Sequence, residues 1–242
     1  PPGTGTSGRR VVRAAEPLLP APLELRYRLT YGGMTTGRFT LTLKREADGS
    51  YKRVSRSRPE GMARMFTTVE WVDESHFEIV KGQVRPLSFL EYRIGADRSH
   101  RQFAIFDWKA NVVRYEFGKQ TFPLLPGTQD LGSLLFAWML NPPPAGPEQR
   151  LQLSSGKKLK EVRYWRIGME TVATDYGPLQ TIALERLPLP EAKDPESMRV
   201  WLATTHQNLP VRMSTQKRGQ DTVLHLESAT GMAGLTPRPP KD

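Results

Sequence analysis

The 242-residue chain contains no cysteine. That excludes disulfides, thiolate metal sites, a cysteine nucleophile and a lipidated cysteine within it. It leaves the redox compartment open, because a cysteine-free chain tolerates either state. No apolar run approaches the roughly 20 residues that a transmembrane helix needs. The four histidines, His76, His100, His206 and His225, fall in no HExxH or comparable spacing, so neither a metal nor a cofactor is expected. A GxSxG elbow is missing, and GTGTSG at residues 3–8 sits in an aperiodic leader rather than after a strand, which argues against a phosphate-cradling loop. Asp73 and Glu74 are adjacent, so on a strand they point to opposite faces; His76 shares a face with Glu74 and Glu78, which a solvated polar surface explains. With no RNP-like motif, zinc finger or recognition helix, no nucleic-acid partner is expected. The residues lean away from an enzyme.

What the chain does have is positive charge and turn residues. Lys and Arg number 35 against 25 Asp and Glu, for a net charge of +10. The ends contribute little: Arg9, Arg10 and Arg13 face Glu16, and Arg238 and Lys241 face Asp242. The excess therefore lies on the body and biases it towards anionic partners. Residues 1–20, rich in Pro, Gly and Arg, read as a flexible leader, and the Gly/Pro-rich residues 229–242 as a loose tail. No signal peptide is visible and the first residue is proline; the expectation is of a targeting segment already removed. Hydrophobic content of 38% suffices for a core. All-β domains of this length are commonly one unit, here residues 21–228.

Most of that unit alternates. Leu23, Leu25, Tyr27, Leu29 and Tyr31 interleave with charged and polar residues, Gly32-Gly33 turns the chain, and Phe39, Leu41 and Leu43 return as a hairpin. Asp48-Gly49 turns into a strand from Tyr51 to Arg58, and residues 61–66 read as a short helical turn or bulge. Further strands are predicted at about 68–80, 84–94, 99–108, 112–118, 149–154, 158–167, 170–176, 179–187, 197–204, 209–217 and 221–228. Turns fall at Gly156, Gly168, Gly177-Pro178 and Gly219, and residues 188–196 form a loop. About a dozen antiparallel strands form a single sheet that must curl, or make an open barrel, to hide its edges.

One stretch breaks the pattern. In residues 122–140, Pro126-Gly127 ends a strand, Thr128 is placed to cap a helix, and Asp130 puts negative charge in its first turn. Leu131, Leu134, Leu135, Trp138 and Met139 follow at helical spacing, and Phe136, Ala137 and Leu140 make the opposite face apolar too. Asn141 and Pro142-Pro143-Pro144 stop the helix. A helix greasy nearly all round is buried, so it belongs in or across the concavity of the sheet.

Two basic stretches stand out. Lys52, Arg56 and Arg58 share one strand face and suit phosphate or carboxylate groups, although a solvated outer face accounts for them as well; Lys157, Lys158, Lys160, Arg163 and Arg166 form the second. Trp71, Phe89, Phe106, Trp108, Trp138 and Trp165 read as core. In an open barrel the core side of the sheet is also the ligand side.

The segments LELRYRLTYGG, RVSRSRPEGMARMF, VRPLSFLEYR, LPGTQDLGSLL and WLATTHQNLPVRM occur in an order that resembles an exported bacterial family of unknown function, DUF3108. The likeness runs from Leu23 to Ser228, and its most specific piece is Pro126 with Gly127, Thr128, Gln129 and Asp130. That family is similar in architecture to the periplasmic lipoprotein carriers LolA and LolB, open β-barrels that hold acyl chains. The resemblance implies a periplasmic protein with a curled sheet, and no reaction. The expectation is a monomeric, non-enzymatic binding module for an apolar or amphipathic envelope ligand: a lipid, an acylated protein or a glycolipid. Its candidate contacts are Leu131, Leu134, Leu135, Trp138 and Trp108, with Arg56 and Arg58 for an anionic headgroup. The alternatives are an envelope scaffold, marked by an exposed apolar patch, and a hydrolase of envelope material, which would need His76, His206 or His225 to meet carboxylates.

Overall fold

The alternation forms strands. A computed structural model describes residues 18–95, 100–190, 196–217 and 219–235. In chain order the strands are β1 (Leu23–Tyr31), β2 (Met34–Arg45), β3 (Tyr51–Pro59), β4 (Glu70–Val80), β5 (Gln83–Ile94), β6 (Arg101–Asp107), β7 (Val112–Tyr115), β8 (Thr121–Pro123) and β9 (Gln129–Asp130). The helix α1 (Ser133–Leu140) follows, then β10 (Gln149–Ser154), β11 (Leu159–Thr174), β12 (Gly177–Pro188), β13 (Glu196–Ala203), β14 (Leu209–Lys217) and β15 (Gln220–Thr230). The expected leader up to residue 17, the middle of the expected loop at 191–195 and the tail from 236 lie outside the described residues. What adjoins them is packed: Leu19 and Met232 are buried, and Leu235 lies against the core.

All fifteen strands make one mainly β, unclosed sheet, in the order β8-β7-β6-β5-β4-β3-β2-β1-β15-β14-β13-β12-β11-β10-β9. Hairpins explain the long antiparallel runs, and Gly32-Gly33 supplies the positive φ that the tight β1–β2 turn requires. The two edges, β8 and β9, are separated in the chain only by residues 124–128, so the sheet must curl until its ends meet. They meet through side chains, with no backbone ladder among the described residues. The Tyr115 hydroxyl lies 2.8 Å from Ser154 Oγ, and the Leu125 N–H donates to Gln152 Oε1 at 3.0 Å. Gly156 lies so close to Gln102 that a Cβ there would fall 2.6 Å from the Gln102 Cβ.

Three expectations are corrected. The strands exceed a dozen, because β8 and β9 are too short to show alternation, and β9 pairs in parallel with β10, so the sheet is not wholly antiparallel. No turn occurs at Gly168; β11 runs through it, and a register shift between Arg166 and Gly168 absorbs the irregularity. The helix begins later than Thr128. Gln129 and Asp130 are strand residues, and Asp130 acts from outside the helix, its Oδ1 accepting the N–H groups of Gly132 and Ser133 at 2.7 Å each. Thr128 instead donates its hydroxyl to Gln152 Oε1 at 2.7 Å.

The buried all-round helix is confirmed. Leu134, Leu135, Phe136, Trp138 and Met139 are all buried, and Phe136 stacks on Phe77 with centroids 5.4 Å apart. Around α1 the inward residues of β1, β2 and β12–β15 form the main core, while Phe89, Ala104, Phe106, Val113, Tyr115 and Leu124 form a smaller one.

Candidate functional site

Although α1 packs into the concavity, it does not fill it. Beside the helix an apolar groove of about 290 Å³ remains open along the inner face. Leu29 of β1, Phe39 and Leu41 of β2, Met198 of β13, Met213 of β14 and Leu224 of β15 line it, with Leu131 and Leu135 on the helix side. Each strand residue points inward by the period-two rule, as Leu25, Tyr27 and Leu41 show by being fully buried. The lining is mostly Leu, Met and Phe, side chains that bury hydrocarbon and adapt to it.

A polar cluster closes one wall. Arg53 alternates inward between Tyr51 and Ser55, is 6% exposed, and reaches this groove. Burial lowers its pKa to about 10, while attraction to Asp130 and Tyr27 works the other way. It ion-pairs with Asp73 of β4, which also accepts a hydrogen bond from the Ser55 hydroxyl. Asp130 is fully buried and accepts from Ser75 Oγ at 2.8 Å. Desolvation nevertheless raises its pKa from 3.8 to about 6, against the hydrogen bonds and Arg53 that lower it. The Pro-Gly-Thr-Gln-Asp segment thus ties the sheet's end to the helix: Gln129 Nε2 donates to the Val84 carbonyl at 2.8 Å, and Asp130 faces Arg53. Gly127 makes the turn with φ +80°.

The residues expected to bind ligand are divided by the structure. Leu131 and Leu135 line the groove. Leu134 and Trp138 line a different cavity of about 500 Å³ beside Pro142, Pro143 and Pro144, where Trp138 packs against Tyr164. Trp108 packs against the smaller core and donates to the Pro86 carbonyl at 2.6 Å. Arg56 and Arg58 are exposed on the outer face of β3, opposite the buried Arg53 and Ser55; Arg58 pairs with Glu70 at 2.9 Å and Lys52, on the same face, with Glu74 at 3.0 Å. Charge on the convex side balances neighbouring carboxylates there and does not surround the groove.

The histidines are also dispersed. His206 is half-buried in the turn after β13 and meets the Thr205 hydroxyl, and His225 sits with Arg28 and Arg212. Burial and those two cations lower the His225 pKa. Among the described residues no three His, Asp or Glu side chains converge as a metal site. A His–carboxylate contact does occur at a fourth histidine, which no motif singles out: His100 Nε2 is 2.9 Å from Glu91 Oε1 and 2.9 Å from Gln102 Nε2. It belongs to the wall of a further cavity of about 300 Å³, reached past Leu131 and lined by Trp71, Arg93, Lys157, Lys160 and Arg186. Alternation is the available signal for Arg53 and Arg186, since both fall at inward positions of their strands.

With this geometry in view, the comparisons with known proteins place the chain. The profile of the family described as a protein of unknown function, DUF3108, matches residues 26–227. The chain belongs to the DUF3108 family. No curated protein matches the sequence. A β-barrel-like protein of the DUF1849 domain from Brucella abortus is similar in structure at 14% identity and a TM-score of 0.58, covering 86% of this chain and 96% of that one. A putative exported protein with a YmcC-like fold from Bacteroides fragilis is 12% identical with a TM-score of 0.35, covering 86% and 95%. A putative outer membrane lipoprotein-sorting protein domain from Vibrio parahaemolyticus is 13% identical with a TM-score of 0.26, covering 88% and 83%. At this identity the Brucella protein supports the barrel-like fold of the DUF3108 domain and nothing about its ligand.

Proposed function

We propose that this DUF3108 domain is a non-enzymatic binding module of the periplasm that holds the apolar part of an envelope amphiphile in the groove between α1 and the inner face. The observation that carries this reading is an open, mostly hydrocarbon-lined groove on the concave side of an unclosed sheet. A core with no such purpose closes on itself, because open apolar surface costs free energy and unfilled space forfeits dispersion contacts. The groove is at the small end of ligand sites, whose volumes run from about 300 Å³. It suits one chain segment better than a whole lipid.

The test uses a neutral fluorescent apolar probe, N-phenyl-1-naphthylamine, displaced by straight-chain alcohols. Each buried methylene contributes ~0.8 kcal/mol, so two added carbons tighten displacement about tenfold until the groove is full. A bulky Ser57→Trp substitution in the lining removes the probe signal. A flat response to chain length sinks the reading.

One observation favours a second reading, a scaffold that docks a partner. Met62, Met65 and Phe66, in the turn between β3 and β4, are 76%, 81% and 83% exposed. Clustered large apolar side chains at a surface mark contact sites.

A further inference from the structure

Leu131 lines two cavities at once. On one side is the apolar groove, and on the other the cavity of about 300 Å³ walled by Trp71, Arg93, Lys157, Lys160 and Arg186. The second is electrostatically lopsided. Among the described residues its lining holds the cations Arg93, Lys157, Lys160 and Arg186, with the already engaged Lys158 and Lys217, against the carboxylates Glu91 and Glu196. Both carboxylates are engaged: Glu91 meets His100 at 2.9 Å, and Glu196 meets Arg186 Nη2 at 3.4 Å.

Arg186 is the telling member. It is 7% exposed, on an inward position of β12 that Leu184 and Pro188 flank two residues away, and its Nε has no hydrogen-bond partner among the described residues. The Arg93 Nε, buried across the cavity, has none there either, its guanidinium carbon lying over Trp71 at 3.7 Å from the ring centroid. A buried guanidinium with idle donors carries a desolvation cost that an anion offering several oxygens would relieve. Planar guanidinium groups with flanking lysines match phosphate oxygens well. Lys157 and Lys160, at the mouth, add attraction at longer range.

We propose that this cavity is an anion site for a phosphate-type headgroup, so that an amphiphile bound with its tail in the groove passes Leu131 and places its phosphate between Arg93 and Arg186. The amphiphile part of the proposal rests on the groove reading above; the anion site does not. It also relocates the charged contacts from the outer-face Arg56 and Arg58 to the far side of the sheet.

Calorimetric titration of the full chain with dodecyl phosphate, dodecyl maltoside and inorganic phosphate, each below any micelle concentration, separates the two parts. The two detergents share a tail and differ in the head. The expected result is that dodecyl phosphate binds at least about tenfold more tightly than dodecyl maltoside, a preference that shrinks as salt rises. The double variant Lys157→Glu, Lys160→Glu changes side chains at the mouth and none in the core, and in it the preference collapses while dodecyl maltoside binding stays. If inorganic phosphate alone binds and loses affinity in that variant, while neither detergent binds, the anion site stands and the groove reading falls. Equal affinity for the two detergents, unchanged by the variant, overturns the anion site and leaves the groove intact. No heat from any of the three overturns both.

Discussion

At the scale of single residues, Asp130 joins the family's most specific segment to the interior. Its Oδ1 holds the N–H groups that open α1, its Oδ2 accepts from Ser75, and Arg53 attracts it from β3. Alternation shows that Arg53 lies opposite Arg56 and Arg58, but not that it is buried, because its partners Asp73 and Asp130 come from β4 and β9. Burial leaves Asp130 with a pKa raised from 3.8 to about 6, so between those pH values the folded chain holds a proton that the unfolded chain has lost. The stability this provides is present in full below about pH 4 and is lost as pH rises to about 6. The loss comes to about 3 kcal/mol, because each tenfold change in proton affinity is worth about 1.4 kcal/mol. In Asp130→Asn it disappears. Urea titrations from pH 4 to 8 are expected to show wild type losing stability relative to this variant up to about pH 6, then running parallel to it. A difference constant across the whole range contradicts the buried, proton-binding carboxylate.

At the scale of elements, the side-chain seam between the sheet's two ends takes the place of the backbone ladder that closes a barrel. Its tightest point is Gly156 against the Gln102 backbone, where a Cβ would lie 2.7 Å from the carbonyl oxygen. Gly156→Val is therefore expected to push the β10–β11 turn away from β6 and destabilise the fold by about 1–3 kcal/mol, the usual cost of overpacking. Gly168→Val is the control, since nothing lies within 4 Å of a Cβ there. Equal urea midpoints for the two variants would show that the seam is not a structural contact. Both glycines read as turns in the sequence, and only the first is one. An isolated Gly in an alternating run looks the same whether the chain reverses or bulges. The helix shows the converse. Its burial is legible from Leu134 to Met139, because apolar residues on every side leave no face for water. Its start is not, because Thr128 and Asp130 are equally good capping residues, and the strand pairing of Asp130 with Ser154 decides between them.

At the scale of the whole molecule, the curl is a consequence of topology. Hairpins carry the sheet from β1 in one direction to β8, the chain crosses to β9, and the sheet returns from there through β15 to β1, so one barrel-like body forms whose ends touch through side chains. The curl and the internal helix are legible from hairpin spacing and from the single apolar stretch. The groove is not, since whether a helix fills a concavity depends on volumes that no periodicity reports. The basic cavity is hidden for a related reason: its cations come from β5, the β10–β11 turn, β11, β12 and β14, and only the fold brings them together. The most direct measurement of the central claim is native mass spectrometry of the chain purified gently from cells, beside a denatured control and the groove-filling Ser57→Trp variant. The expected result is an adduct of amphiphile mass on the native wild type, absent from the denatured chain and from the variant. A bare mass for the native chain, or an adduct carried equally by Ser57→Trp, contradicts it.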